Sequence, residues 1–170
     1  MKIAIIGASR GIGYQLLKLA LEAGHEVTAL LRNPSNLQIT DNNLHVIQGD
    51  ILDPPSVATV TAGQDGICVC IGIPPTLKPV EVFSIGVKNV LASIKDSPEQ
   101  KLIVITGIGA GDSKGHGGFL YDRVFNPLLL KKIYLDKDRE EALIKESNAN
   151  WLILRPGFLP MAPKQENIEL

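Results

Sequence analysis

Residues 2–13 read KIAIIGASRGIG, and this stretch decides the fold. Ile3, Ala4, Ile5 and Ile6 run without polar alternation, as in a strand buried on both faces of a parallel sheet. Gly7 breaks the run, and Gly11 and Gly13 follow in the spacing G-x-x-x-G-x-G. A helical pattern opens at once, with Ile12, Leu16, Leu17, Leu19 and Ala20. A strand that ends in glycines and opens a helix makes a phosphate-binding turn. Glycine permits close backbone approach, and the helix N-terminus offers unpaired N–H groups and a positive dipole. Gly7, Ser9, Arg10, Gly11, Ile12 and Gly13 are therefore candidates to hold a dinucleotide pyrophosphate. The alternative is an ordinary strand–turn–helix.

Outward from this turn, strand and helix alternate. The first helix runs to Glu22 or Ala23 and stops at Gly24. Residues 25–31 (HEVTALL) form a second strand, followed by Arg32. Arg32 stands nineteen residues past Gly13, close to where an acid would hold the adenosine ribose of NAD. An acid there repels a 2′-phosphate, whereas a guanidinium pairs with it bidentately. Arg32, with Arg10 beside it, therefore favours NADP over NAD; otherwise both are solvated surface arginines.

Residues 44–48 (LHVIQ) form a third strand, and Asp50 and Ile51 after it are candidate adenine neighbours. Asp50 reads equally well as a turn residue. Asp53 before Pro54 marks the start of a short helix ending near Gly63. Residues 66–71 (GICVCI) are a fourth strand, and Gly72 at its end lies where backbone would pass the cofactor. A helix is expected over 79–97 and a fifth strand over 101–106 (KLIVIT). A glycine-rich loop with Gly107, Gly109, Gly111, Gly115, Gly117 and Gly118 then follows a central strand, where ligands bind in open α/β sheets. It reads as a mobile substrate loop or as a slack connection. The longest helix spans 127–147 with Asn148 as its cap, and residues 150–154 (NWLIL) are a sixth strand stopped by Arg155-Pro156-Gly157. Residues 158–170 show no periodicity. The alternation implies one α/β domain over 1–170, a doubly wound parallel sheet with strand order 3-2-1-4-5-6.

The 170 residues carry 17 basic and 18 acidic side chains, a net charge of −1, and no basic run, which argues against a nucleic-acid surface. No apolar stretch is long enough for a membrane span, and no secretory leader is evident. Cys68 and Cys70 sit two apart in the fourth strand, pointing the same way, where a bridge is hindered. Free buried thiols in a reducing, cytoplasmic setting fit best. His25, His45 and His116 are scattered, so no metal site is expected. His116 and Tyr121 are minor candidates for proton transfer from the glycine loop.

GASRGIG at 7–13, Arg32, QGDILD at 48–53, ITG at 105–107 and LRPG at 154–157 together resemble the atypical short-chain dehydrogenase/reductases. Within them the chain is most similar to the small NAD(P)H-binding group of NmrA-like regulators and biliverdin-IXβ/flavin reductases. The resemblance implies a Rossmann fold and an NADP (NADPH) cofactor. It also implies that Lys137 holds the nicotinamide ribose, that Pro156 and Gly157 place the nicotinamide, and that Thr106 orients a substrate carbonyl. Lys137 reads otherwise as a surface lysine, and Thr106 as a residue ending a strand.

Two departures stand out. The main short-chain dehydrogenases carry a proton-donating tyrosine four residues before the lysine; here Ile133 stands there, and Tyr134 is turned from that place by about 100°. Members of the group also continue past the RPG turn, whereas thirteen residues follow Gly157 here, which implies a shortened member or an open substrate side. The expected function is an NADPH-dependent oxidoreductase passing a hydride to a carbonyl or conjugated acceptor. The alternative is a non-catalytic NADP-binding redox sensor or assembly factor. The expected partners are a small-molecule substrate or a regulatory protein, and the expected state is monomer or homodimer.

Overall fold

β1 (Lys2–Ile6) lies inside a sheet of six parallel strands ordered β3-β2-β1-β4-β5-β6. The computed structural model describes residues 1–111 and 130–157. In chain order the elements are β1, α1 (Gly11–Glu22), β2 (Glu26–Leu31), β3 (Leu44–Gln48), α2 (Pro54–Thr61), β4 (Gly66–Val69), α3 (Val82–Ser93), β5 (Lys101–Ile105), α4 (Lys131–Glu146) and β6 (Asn150–Leu154). This is the doubly wound Rossmann arrangement expected from the alternation of elements.

Strand alternation sorts the side chains between two cores. Ala4 and Ile6 of β1, Ile67 and Val69 of β4, and Leu102 and Val104 of β5 pack against Val57 and Val60 of α2, Val87 and Val90 of α3, and Ile144 of α4. Ile5, Cys68 and the β2 residues Val27, Ala29 and Leu31 face the other way, onto Leu17 and Ala20 of α1. Each fully buried aliphatic side chain here stabilises the fold by about 1.5–3 kcal/mol. Both faces of β1 are sealed, which is why its sequence shows no polar alternation.

Two elements are shorter than their apolar patterns. The fourth strand ends at Val69 instead of Ile71, although the Cys70 amide still donates to the Ile6 carbonyl at 2.8 Å. Past that bond β1 and β4 lead into connections on opposite sides of the sheet, and the ladder gives out. The helix expected over 79–97 covers only Val82–Ser93. Its start is set from outside: the buried Asp136 carboxylate of α4 accepts the Phe83 amide at 2.9 Å and the Ser84 hydroxyl at 2.5 Å. α4 ends at Glu146 and its cap is Ser147, not Asn148, because the Ser147 amide already returns to the Ile144 carbonyl. The expected start of that helix at Pro127, most of the glycine loop (with Gly115, His116, Gly117, Gly118 and Tyr121) and the 158–170 tail lie outside the described residues. Among the described residues no helix is long and apolar enough to cross a membrane.

Asp136 replaces a local cap with a cap from another helix. Asp136→Ala removes the acceptor of two leading α3 amides and strands the Ser84 hydroxyl, and should cost about 2–4 kcal/mol. Urea unfolding of the variant against the parent measures it.

Candidate functional site

The glycine turn is built by contacts that exclude side chains. A Cβ on Gly13 would overlap the Gly7 carbonyl, so α1 starts directly against the end of β1. A Cβ on Gly7, whose φ is +99°, would come within 2.7 Å of the Cys70 carbonyl oxygen. Gly11, at φ +61°, faces open space. Two glycines thus serve packing and one serves the turn.

The leading amides of α1 lack a side-chain cap. Arg10 at the N-cap position makes no capping bond, and no acid sits in the first turn. By contrast, Asp53 caps α2 by accepting the Ser56 amide at 3.0 Å, and Asp136 caps α3. Ser9, Arg10, Gly11 and Ile12 line an open cleft of roughly 1440 Å³ at the carboxyl ends of the strands. An uncapped helix start beside that cleft suits an anion, and the residues fit the pyrophosphate of a dinucleotide.

One end of the cleft is polar. Arg10 and Arg32 are exposed there, with Ser35, Asn36 and Gln38 on the same wall. Asp50 is both cleft-lining and a turn residue, since its carboxylate accepts the Leu52 amide at 3.0 Å. Ile51 is mainly a core residue: it is buried, its side chain lies where a Cβ on Gly86 would stand, and its carbonyl accepts the Asn89 side chain at 2.9 Å. It still borders the cleft.

The other end is apolar. Ile71, Ile73, Val82, Phe83, Leu130 and Ile133 line it, and Gly72 and Gly157 border it with no atom within 4 Å of an added Cβ. Pro156 lies on the same rim, and its carbonyl accepts the Ile108 amide. Lys137 enters this end from α4 and is buried, not a surface lysine. Its ammonium donates to the Ile105 carbonyl at 3.3 Å, lies 3.7 Å from Glu140 Oε2 and sits 4.1 Å above the Phe83 ring. Burial lowers its pKa, while Glu140, Glu141 and Asp136 pull it back up.

Tyr134 lines the same wall, its hydroxyl 3.0 Å from the position of a Cβ on Gly107. Spacing of three residues on a helix is enough to put Tyr134 and Lys137 on one face. Thr106 also reaches the cleft, but its hydroxyl donates inward to Glu141 Oε1 at 2.9 Å. Glu141 further receives both arms of Arg155, Nε at 2.8 Å and Nη2 at 2.6 Å. Arg155 of the LRPG stretch therefore joins β6 to α4. Burial pushes the Cys68 thiol to about 11 and the Cys70 thiol to about 12, which makes both poor nucleophiles. Among the described residues no cluster of His, Cys, Asp and Glu could hold a metal.

The fold, the uncapped helix start and the cleft define a dinucleotide-binding α/β protein. The chain belongs to the NAD(P)H-binding family, whose model matches residues 7–170. It is 32% identical over 110 residues to the uncharacterized protein YwnB of Bacillus subtilis (strain 168), covering 65% of this chain and 49% of YwnB. It is 24% identical over 180 residues to the uncharacterized chloroplastic protein At2g34460 of Arabidopsis thaliana, covering 98% of this chain and 62% of that protein. The chain thus spans only part of the length of these curated relatives. Among solved structures, ChuY, an anaerobillin reductase from Escherichia coli O157:H7, superposes with a TM-score of 0.75 at 20% identity, over 92% of this chain and 72% of ChuY. The oxidoreductase ylbE from Lactococcus lactis gives 0.76 at 24% identity, over 96% and 72%.

Sequence reasoning assigned no role to Asp136, Glu140 or Glu141. A signal was present: Ile133, Lys137, Glu140, Glu141 and Ile144 follow helical spacing, and the two isoleucines mark the buried stripe that contains the charges.

The glycines separate packing from ligand contact. Gly13→Ala should destabilise the protein by more than about 2 kcal/mol, since backbone stands where the methyl must go. Gly72→Ala should leave stability within about 0.5 kcal/mol and place a methyl at the cleft. Thermal unfolding of both variants, paired with dinucleotide titration, distinguishes the two roles.

Proposed function

We propose that this protein is an NADPH-dependent reductase that passes a hydride to a flat, conjugated acceptor such as a flavin, quinone or tetrapyrrole. The observation that carries the reading is the two-ended cleft around an uncapped helix start. One end offers two guanidiniums and amide or hydroxyl side chains; the other offers an apolar wall with Lys137 and Tyr134. The dinucleotide, when bound, supplies the hydride.

The protein's own residues do the rest. The α1 amides and the Gly11 turn hold the pyrophosphate. Arg32, with Arg10, pairs with the 2′-phosphate and so selects NADPH. Ile71, Ile73, Val82, Phe83, Leu130 and Ile133 keep water from the reacting end and favour a planar, apolar acceptor. Lys137 holds the ribose hydroxyls, and the Tyr134 hydroxyl stands on the same wall to give a proton to the reduced acceptor. The reductase among the structural neighbours supports this reading.

A second reading has one observation in its favour. Thr106 spends its hydroxyl proton on Glu141, so the residue expected to orient a substrate carbonyl is engaged in structure instead. A protein that binds NADPH without turnover, as a redox sensor or assembly partner, needs no such contact.

Side-by-side titration with NADPH and NADH, read by nicotinamide fluorescence, tests cofactor choice. NADPH should bind about 10–100-fold more tightly, the worth of a charge-assisted bidentate contact. Arg32→Asp should abolish that preference. Oxidation of NADPH followed with flavin mononucleotide and menadione then separates the readings: turnover supports the reductase, and tight binding without turnover supports the sensor.

A further inference from the structure

Glu140 has no part in the roles assigned so far. Its side chain is 1% exposed, and among the described residues Oε2 accepts no hydrogen bond. Its neighbour in charge is the Lys137 ammonium, 3.7 Å from Oε2, one helical step away on α4. Among the described residues Lys137 in turn has two further contacts: a bond to the Ile105 carbonyl at the end of β5 and the face of the Phe83 ring on α3. The other nearby acids of α4 are committed elsewhere. Asp136 is taken up by the α3 amides and Ser84, and Glu141 by Thr106 and Arg155. Among the described residues, α3 and β5 bring only the aromatic ring and the carbonyl to this ammonium.

A buried ammonium in an apolar wall loses its proton readily, and a neutral amine neither attracts an anionic ligand nor donates three bonds. A buried carboxylate left short of hydrogen bonds is costly and adds little to stability of its own. Its position beside Lys137 gives it a use.

We propose that Glu140 is a positioning residue for the cleft: its carboxylate fixes the Lys137 ammonium at the apolar end and keeps it charged for the bound dinucleotide. This rests on the reading above, in which Lys137 faces the nicotinamide half. Burial pushes the Glu140 carboxyl up to about 7, with Lys137 pulling it down. Glu140 is therefore charged, and supports Lys137, only from neutral pH upward. Below that it is neutral, and its removal should matter little.

The test is NADPH affinity against pH for the parent protein and Glu140→Gln. Below about pH 6 the two should bind alike. Above neutrality Glu140→Gln should lose affinity at a pH lower by about one unit or more than the parent, because its lysine deprotonates sooner. Lys137→Met should bind weakly throughout, and adding Glu140→Gln to it should change nothing further. A second measurement needs no cofactor: the carboxyl carbon of Glu140, followed by NMR in ¹³C-glutamate-labelled protein, should titrate above the ordinary glutamate range and move higher still in Lys137→Met. Superimposable pH profiles for the parent and Glu140→Gln, or a Glu140 midpoint unmoved by Lys137→Met, would overturn the proposal. Failure of the parent to bind either dinucleotide at any pH would instead sink the cofactor reading, leaving the NMR titration to decide on the pair.

Discussion

A backbone carbonyl, that of Gly7, occupies the place where any side chain on Gly13 would stand. The rest of the site depends on this contact. It brings the first turn of α1 against the end of β1, at the point where β1 and β4 send their connections to opposite sides of the sheet. The strands part there, so the cleft opens where α1 begins. Because Arg10 provides no cap, the electrostatic demand of the helix start is left to a ligand. In α2 and α3 the fold meets that demand internally, through Asp53 and Asp136.

α4 solves a different problem. Its buried stripe contains Asp136, Lys137, Glu140 and Glu141 between Ile133 and Ile144, and most of these charges have assigned partners. Asp136 reaches α3, Glu141 reaches the ends of β5 and β6, and Lys137 reaches Ile105. Such pairs contribute little net stability, since desolvation offsets attraction. They do specify position: rotating α4 by one residue, about 100°, would strand every one of these groups at once. The wall of the cleft that carries Tyr134 and Lys137 is therefore held in register by polar bonds as well as by packing.

The fold was legible because its signals are local. Continuous apolar runs at 3–6 and 151–154, the Asp53-Pro54 start and the stop at Gly24 each report on neighbours in sequence, and the strand order follows from alternation. Lys137 was legible only through resemblance, and its burial was not. A charged residue on a helix is ordinarily solvated, and only the partners that come from Ile105 and Phe83, far off in the chain, reverse that expectation. The cap of α3 by Asp136 was hidden for the same reason, since donor and acceptor are 53 residues apart. Thr106 shows the same. The expected strand ran one residue too far, through Thr106, and the direction of its hydroxyl depends on Glu141, 35 residues on.

On the proposed reading, the unequal ends of the cleft allow a reacting ring to be placed without being gripped. The groups suited to a pyrophosphate and a further phosphate lie at the polar end and in the middle, at the start of α1 and the loop after β2. Charge-assisted bonds there would supply most of the affinity on that reading. The apolar end offers few directional contacts, and Lys137 is the charged group that enters it among the described residues. Binding energy released at one end would then restrict the ring at the other, and the bond-poor wall would be left free to accept a second flat molecule beside it. A strong network of donors at the reacting end would hold the ring more tightly but would also fill with water before the acceptor arrived. The Lys137 ammonium, 3.7 Å from the Glu140 carboxylate, would keep one directional contact there while leaving the surface dry.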